Sequence, residues 1–183
     1  METKDWTLTK VYHQALSHEL AGVMFHKDAC RYMAFLGLSK MMALQEHQYK
    51  EESNSLQDTE QTFLQRHDML IEAEYKVDDQ EELIPREARV TKSSTVGIEF
   101  KRKTLASFLD KWYEWETRTE KLYAIITAWC IENQCADYAY FQKLLEKVCV
   151  EKTMVYCMKR EMSLAGWALA ECELIADEWL KQQ

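Results

Sequence analysis

The chain has 183 residues, of which 47% are apolar and 30% charged, and a formal net charge of −8. That length holds one domain with a sizeable core, residues 1–183, while the negative balance excludes unspecific binding to nucleic acid or anionic membrane, which needs clustered Lys and Arg. Four Gly and one Pro are too few punctuators for a sandwich or barrel of many short strands, so the expected class is all-α.

The first helix is expected from about Trp6 to Leu36. Steps of four and three residues give Leu8, Tyr12, Ala15, Glu19, Gly22, His26, Ala29 and Met33, the spacing of one helix face. A carboxylate and, two turns later, an imidazole interrupt this apolar seam. Gly37 suits the stop, and the turn Gly37-Leu38-Ser39 sends the next helix back antiparallel. The second helix starts near Ser39 with apolar Met41, Met42, Leu44 and Tyr49. It turns polar over Glu51-Glu52-Ser53-Asn54-Ser55 and resumes at Leu56, Phe63, Leu64, Met69, Leu70 and Ile71, to end near Tyr75. The polar middle is either a solvated face or the place where Glu52 turns inward.

Between about Lys76 and Glu99 the periodicity stops. So long a connection is uncommon in a compact domain, but a four-helix bundle with parallel second and third helices demands one. The third helix, about Phe100 to Asn133, carries the seam Leu105, Leu109, Trp112, Glu116, Thr119, Tyr123, Ile126 and Cys130. Glu116 sits in its middle, and a carboxylate is almost never fully buried without a partner. Trp112, Tyr123 and Trp129 read as core packing. After Glu132-Asn133-Gln134, Asp137 is the expected N-cap of a fourth helix with Tyr140, Phe141, Leu144, Leu145, Val148, Val155 and Met158 inward. Glu151 joins that face. Gly166 closes the helix, and Trp167 to Leu180 forms a short fifth.

The six cysteines, Cys30, Cys130, Cys135, Cys149, Cys157 and Cys172, show no C-x-x-C pair and read as small buried thiols in a reducing compartment, not as disulfides or a zinc site. The start Met1-Glu2-Thr3-Lys4-Asp5-Trp6 has no apolar leader core, and no charge-free stretch approaches the ~18 residues of a membrane helix. The expected location is cytoplasmic.

Glu19, Glu52, Glu116 and Glu151, one from each long helix, are the candidate metal ligands. Carboxylates projecting from four helices into a bundle core form di-iron or di-manganese sites. Hard or borderline divalent ions take oxygen and imidazole ligands, and two ions need bridging carboxylates. Without metal, four such charges repel one another.

From about Leu8 to Leu180 the chain resembles the non-haem ferritins, the ferritin-like di-iron carboxylate family. Glu19, the turn at Gly37-Leu38 and the pair Glu51-Glu52 match, without a gap, the family's first-helix glutamate, its hairpin and its Glu-Glu-x-x-His. Trp112-Tyr113-Glu114-Trp115-Glu116 places Glu116 on the third-helix ligand. Asp137-Tyr138-Ala139-Tyr140-Phe141 through Glu151 to Ser163-Leu164-Ala165-Gly166 matches the fourth helix and the bend before the fifth. The resemblance implies an up-down-down-up four-helix bundle with a long crossover between helices two and three and a short C-terminal fifth helix. It further implies a homo-oligomer, in the family a cage, and a di-iron (Fe) cofactor, with Mn as an alternative and none if the ligand set is degenerate. The implied activity is iron storage with ferroxidase chemistry, Fe(II) oxidation by O2 or peroxide.

Three departures stand beside the match. Ser55 occupies the place of the second-helix histidine, Val148 that of a fourth-helix glutamine or glutamate, and the crossover is longer than the family's. A second, lower-ranked register uses His67 and puts Leu64 at the glutamate of Glu-x-x-His. His26, seven residues after Glu19 on the same face, is a fifth candidate ligand; its alternative is a core histidine with an ordinary hydrogen bond. Two other readings stay open: a non-catalytic ferritin-like structural or assembly protein, and a Mn or Fe carboxylate oxidase that is not a cage.

Overall fold

The computed structural model describes residues 3, 5–71, 73 and 96–182, and among them the chain forms five helices and no strand. Helix α1 (Leu8–Leu36) starts at Thr7, whose hydroxyl accepts the Lys10 N–H, and stops at Gly37 with a left-handed φ of 75°. The Leu38 N–H then reaches the Met33 carbonyl at 2.9 Å, so the expected glycine makes the expected stop.

Helix α2 (Ser39–His67) is shorter than the sequence suggested. Asp68, at φ 52°, ends it, and the residues that pointed to continuation as far as Tyr75 do not extend it. Met69 and Leu70 are 46% and 86% exposed, so another turn would bury little apolar surface, and burial is what holds most helices in proteins. The connection expected at 76–99 lies outside the described residues up to 95. Helix α3 (Ile98–Glu132), α4 (Tyr138–Leu164) and α5 (Leu169–Leu180) follow. The last begins after Trp167, not at it, because Gly166 and Trp167 both turn at positive φ, 62° and 57°.

Two apolar clusters fill the bundle. One joins the end of α1 (Phe25, Met33, Leu36), the starts of α2 (Met41, Leu44) and α3 (Leu105, Leu109, Trp112), the end of α4 (Met158, Met162) and the α5 residues Cys172 and Ala176. The other joins the start of α1 (Val11, Tyr12, Ala15), Phe63 late in α2, the end of α3 (Tyr123, Ile126, Cys130) and the start of α4 (Phe141, Val148). Helices α2 and α3 therefore run in the same direction, with α1 and α4 opposed to them. Each fully buried large side chain in these clusters contributes about 1.5–3 kcal/mol, which is what fixes the helices side by side.

Polar contacts pin both ends. Leu38 gives α2 no side-chain cap, and Glu173 of α5 supplies it, accepting from the Lys40 N–H at 2.7 Å, the Met41 N–H at 3.3 Å and the Ser39 hydroxyl at 3.2 Å. At the other end Asp137 holds the N-cap position of α4, but its side chain does not cap that helix. The carboxylate, 1% exposed, accepts instead from Arg66 and from His67 Nε2 in the last turn of α2. A buried charge takes the strongest donors within reach, and a guanidinium outcompetes a backbone N–H. No helix among the described residues is long and apolar enough to cross a membrane.

Candidate metal centre

All eight residues of the α3 seam are buried, and on α1 all but Leu8 are. Helical spacing thus carries the carboxylates inward with their apolar neighbours. Glu19 is 4% exposed, Glu52 9%, Glu116 2% and Glu151 8%. Each sits where the two clusters meet: Glu19 between Ala15 and Phe25, Glu52 between Leu44 and Phe63, Glu116 between Trp112 and Tyr123, Glu151 between Val148 and Met154. They form a carboxylate layer at mid-length of the bundle, between the two apolar clusters. The polar middle of α2 is therefore no simply solvated face, because Glu52 turns inward.

Space for that turn comes from α1. A Cβ on Gly22 would lie 3.0 Å from Glu52 Oε2, 3.4 Å from Glu52 Cδ and 3.3 Å from Trp115 Cζ2, so any larger residue would press on the end of Glu52, which glycine leaves in place. Glu52 in turn meets Glu19. Burial, then the charge and hydrogen bond of Glu19, hold Glu52 well above the usual carboxylate range, so it keeps its proton and donates to Glu19. The Tyr123 hydroxyl donates to Glu19 Oε1 as well. Burial also raises Glu19, and these two hydrogen bonds work against it. Glu116 is held well above the usual range by burial, then by Glu151 and Glu52, against the Trp112 indole N–H that donates to its Oε1 at 2.8 Å. Burial raises Glu151 to about 7, against the opposing pull of Lys147.

Lys147 is the cation of the layer. Its Nζ donates to Ser55 Oγ at 2.9 Å and lies 3.6 Å from both Glu51 Oε2 and Glu151 Oε1. Burial alone would lower its pKa, but Glu151, Glu52, Glu19 and Glu51 together outweigh that and keep it charged. Ser55, expected from the sequence at the place of a ligand histidine, is thus a partner of the ammonium. Val148 lies in an apolar cluster and brings no donor. Four inward carboxylates against one ammonium leave three charges to be met by protons or by another cation.

His26 is buried, and its Nδ1 lies 2.8 Å from Gln45 Oε1 with the ring edge-on to Trp112. Burial lowers its pKa to about 4, so it is neutral. Because its partner is a carbonyl oxygen, Nδ1 carries the hydrogen and Nε2 is left with a lone pair and no hydrogen-bond partner. His67, the ligand of the second register, is held by Asp137 at the far end of α2.

Sequence reading named all four glutamates but missed three of their neighbours. Lys147 stands four before Glu151, the spacing of a helical ion pair, and that was the available signal. Tyr123 and Trp112 stood on the same seam as Glu116, yet as core packing only. The structure gives each a polar atom aimed at a carboxylate.

As the side chains stand, no three His, Cys, Asp or Glu groups among the described residues are spaced to hold a metal ion. The donor chemistry nonetheless suits a hard or borderline divalent cation: carboxylate oxygens from four helices, a phenol oxygen and an unpartnered buried imidazole nitrogen. On the outer side of α4, Glu151 also borders a cavity of about 540 Å³ with Met154, Trp179 and Gln182. Comparison of the chain with protein-family models, curated proteins and solved structures found no match.

Proposed function

We propose that this chain is a ferritin-like protein whose glutamate layer, Glu19, Glu52, Glu116 and Glu151, takes up divalent iron. The observation that carries the reading is the burial of four carboxylates from four helices in one layer with, among the described residues, one ammonium beside them. Carboxylates gathered in a core have to be neutralised, and a divalent cation received there would replace several protons at once. The shared direction of α2 and α3 also supports the ferritin-like, up-down-down-up arrangement with its long crossover.

Bound iron supplies the one-electron chemistry toward O2 or peroxide that ferroxidase activity needs; the chain's own residues do the rest. Glu52 and Glu116 give up their protons as the cation enters. Tyr123 and Trp112 keep Glu19 and Glu116 in place, Gly22 leaves room for Glu52, and the two apolar clusters exclude water from above and below. His26 Nε2, buried and without a hydrogen-bond partner, is a candidate nitrogen donor. Homo-oligomerisation into a cage is the storage form of the same proposal, with Mn as the alternative occupant.

Anaerobic titration with Fe(II), followed by rapid mixing with oxygenated buffer, tests it. Saturable binding of one or two ions per chain and an oxygen-dependent absorbance change are expected; absence of saturable binding refutes it. Mass in solution tests storage, which a monomer or dimer rules out. Lys147 favours a second reading. It occupies part of the layer as a built-in cation, and protons complete the neutralisation, which suits a metal-free ferritin-like assembly protein.

A further inference from the structure

The turn between α3 and α4 closes α3 with a two-bond cap. The Cys135 N–H donates to the Cys130 carbonyl at 2.8 Å, the Gln134 N–H to the Ile131 carbonyl at 3.2 Å, and Gln134 takes the left-handed conformation at φ 50°. This is the Schellman closure, in which the side chains at the positions held here by Cys130 and Cys135 meet and normally form an apolar staple. In this chain the staple is two thiols. Cys130 is part of the apolar cluster at this end of the bundle and Cys135 packs against it, so the closure that joins their backbones also brings the two side chains together. Cys130 is fully buried, whereas Cys135 is partly exposed and touches Asp137, the carboxylate that ties Arg66 and His67 of α2 to the start of α4.

We propose that Cys130 and Cys135 form a reversible disulfide, made when a hydroperoxide oxidises the exposed thiol first. The sulfur of Cys135, as thiolate, attacks one oxygen of the hydroperoxide and breaks the O–O bond. Cys135 becomes a sulfenic acid, and the other oxygen leaves as alkoxide or hydroxide and takes up a proton. The sulfur of Cys130 then attacks Cys135 Sγ, displacing the hydroxyl, which leaves as water with the Cys130 proton. Two thiols lose two electrons and the peroxide gains them, giving the disulfide, one alcohol or water, and one further water. Burial pushes the Cys130 thiol up to about 12, which keeps it the second and not the first sulfur to react. Cys172 is buried, and Cys30, Cys149 and Cys157 are partly exposed like Cys135; what sets Cys135 apart is Cys130, held beside it by the same helix closure.

The test uses the reduced full chain, hydrogen peroxide, alkylation by N-ethylmaleimide and tryptic mass mapping. Cleavage after Lys121 and Lys143 places Cys130 and Cys135 alone in one peptide, and a second protease cutting after Glu132 separates them unless they are linked. Loss of two of the six thiols is expected, with peptide 122–143 unalkylated, lighter by two hydrogens, held together after cleavage at Glu132 and alkylatable again after dithiothreitol. Cys135→Ser should abolish the loss. Cys130→Ala should leave a sulfenic acid on Cys135 that dimedone traps. A fully alkylated peptide 122–143 beside oxidation elsewhere, or sulfinic acid on Cys135 without linkage in the unsubstituted chain, overturns the proposal.

Discussion

Replacing Glu151 by Gln isolates one titrating group of the buried layer. In the folded chain its carboxyl is raised to about 7 from an ordinary value of 4.5, first by burial, with Lys147 opposing. Below 4.5 both folded and unfolded states hold the proton and the group adds no pH dependence. Between 4.5 and 7 the unfolded chain ionises while the folded chain does not, so stability contributed by Glu151 is lost as pH rises through that window. At about 1.4 kcal/mol per pH unit, the loss amounts to about 3 kcal/mol, complete near pH 7. His18 and His26, both lowered to about 4 by burial, work in the opposite direction between 4 and 6.5, so only the difference between variant and parent isolates Glu151. Urea unfolding of both proteins in chelator-treated buffers from pH 4 to 8.5 measures it. The expected result is a Glu151→Gln variant that gains on the parent from pH 4.5 upward and levels off at about 3 kcal/mol above pH 7. Parallel stability curves would show that Glu151 is ionised in both states, and the picture of a proton-holding layer would fail.

Three further substitutions probe the neighbours. Gly22→Ala drives a Cβ to 3.0 Å from Glu52 Oε2 and should cost about 1–3 kcal/mol in urea unfolding, along with any Fe(II) binding. Tyr123→Phe removes the donor to Glu19 inside the core, with an expected loss of about 1–3 kcal/mol in urea unfolding at neutral pH. Asp137→Ala cuts both contacts to the end of α2 and should cost roughly 2–4 kcal/mol at neutral pH. Burial would raise Asp137, but Arg66 and His67 outweigh it and hold it below its ordinary 3.8, so thermal melts of parent and variant should converge as pH falls through that lowered value.

The four long helices and their inward carboxylates were legible because both follow from local periodicity. The α3 seam steps by four and three from Leu105 to Cys130, and every residue on it is buried. Gly37 was legible for a similar reason, since a left-handed stop needs no tertiary partner. What depended on a partner from another helix was not. Glu52 could be read as solvated or inward until Gly22, thirty residues earlier, was seen to leave it space. Asp137 had the residue type and place of a side-chain cap, and only the approach of Arg66 and His67 diverts it. The end of α2 was misjudged because Met69 and Leu70 are apolar, and composition cannot tell that no surface faces them. Lys147 was missed because it sits off the apolar stripe, reaching the layer from its flank on a long flexible stem.

The central claim is that the glutamate layer exchanges its protons for a metal ion. Anaerobic calorimetric titration with Fe(II) at pH 6.5, run in two buffers of different ionisation enthalpy, counts the protons released as the ion binds. The account predicts saturable binding with at least one proton released per ion, and loss of both in Glu52→Gln, whose amide cannot surrender a proton to make room for charge. Binding with no proton release, or binding unchanged in Glu52→Gln, would contradict it.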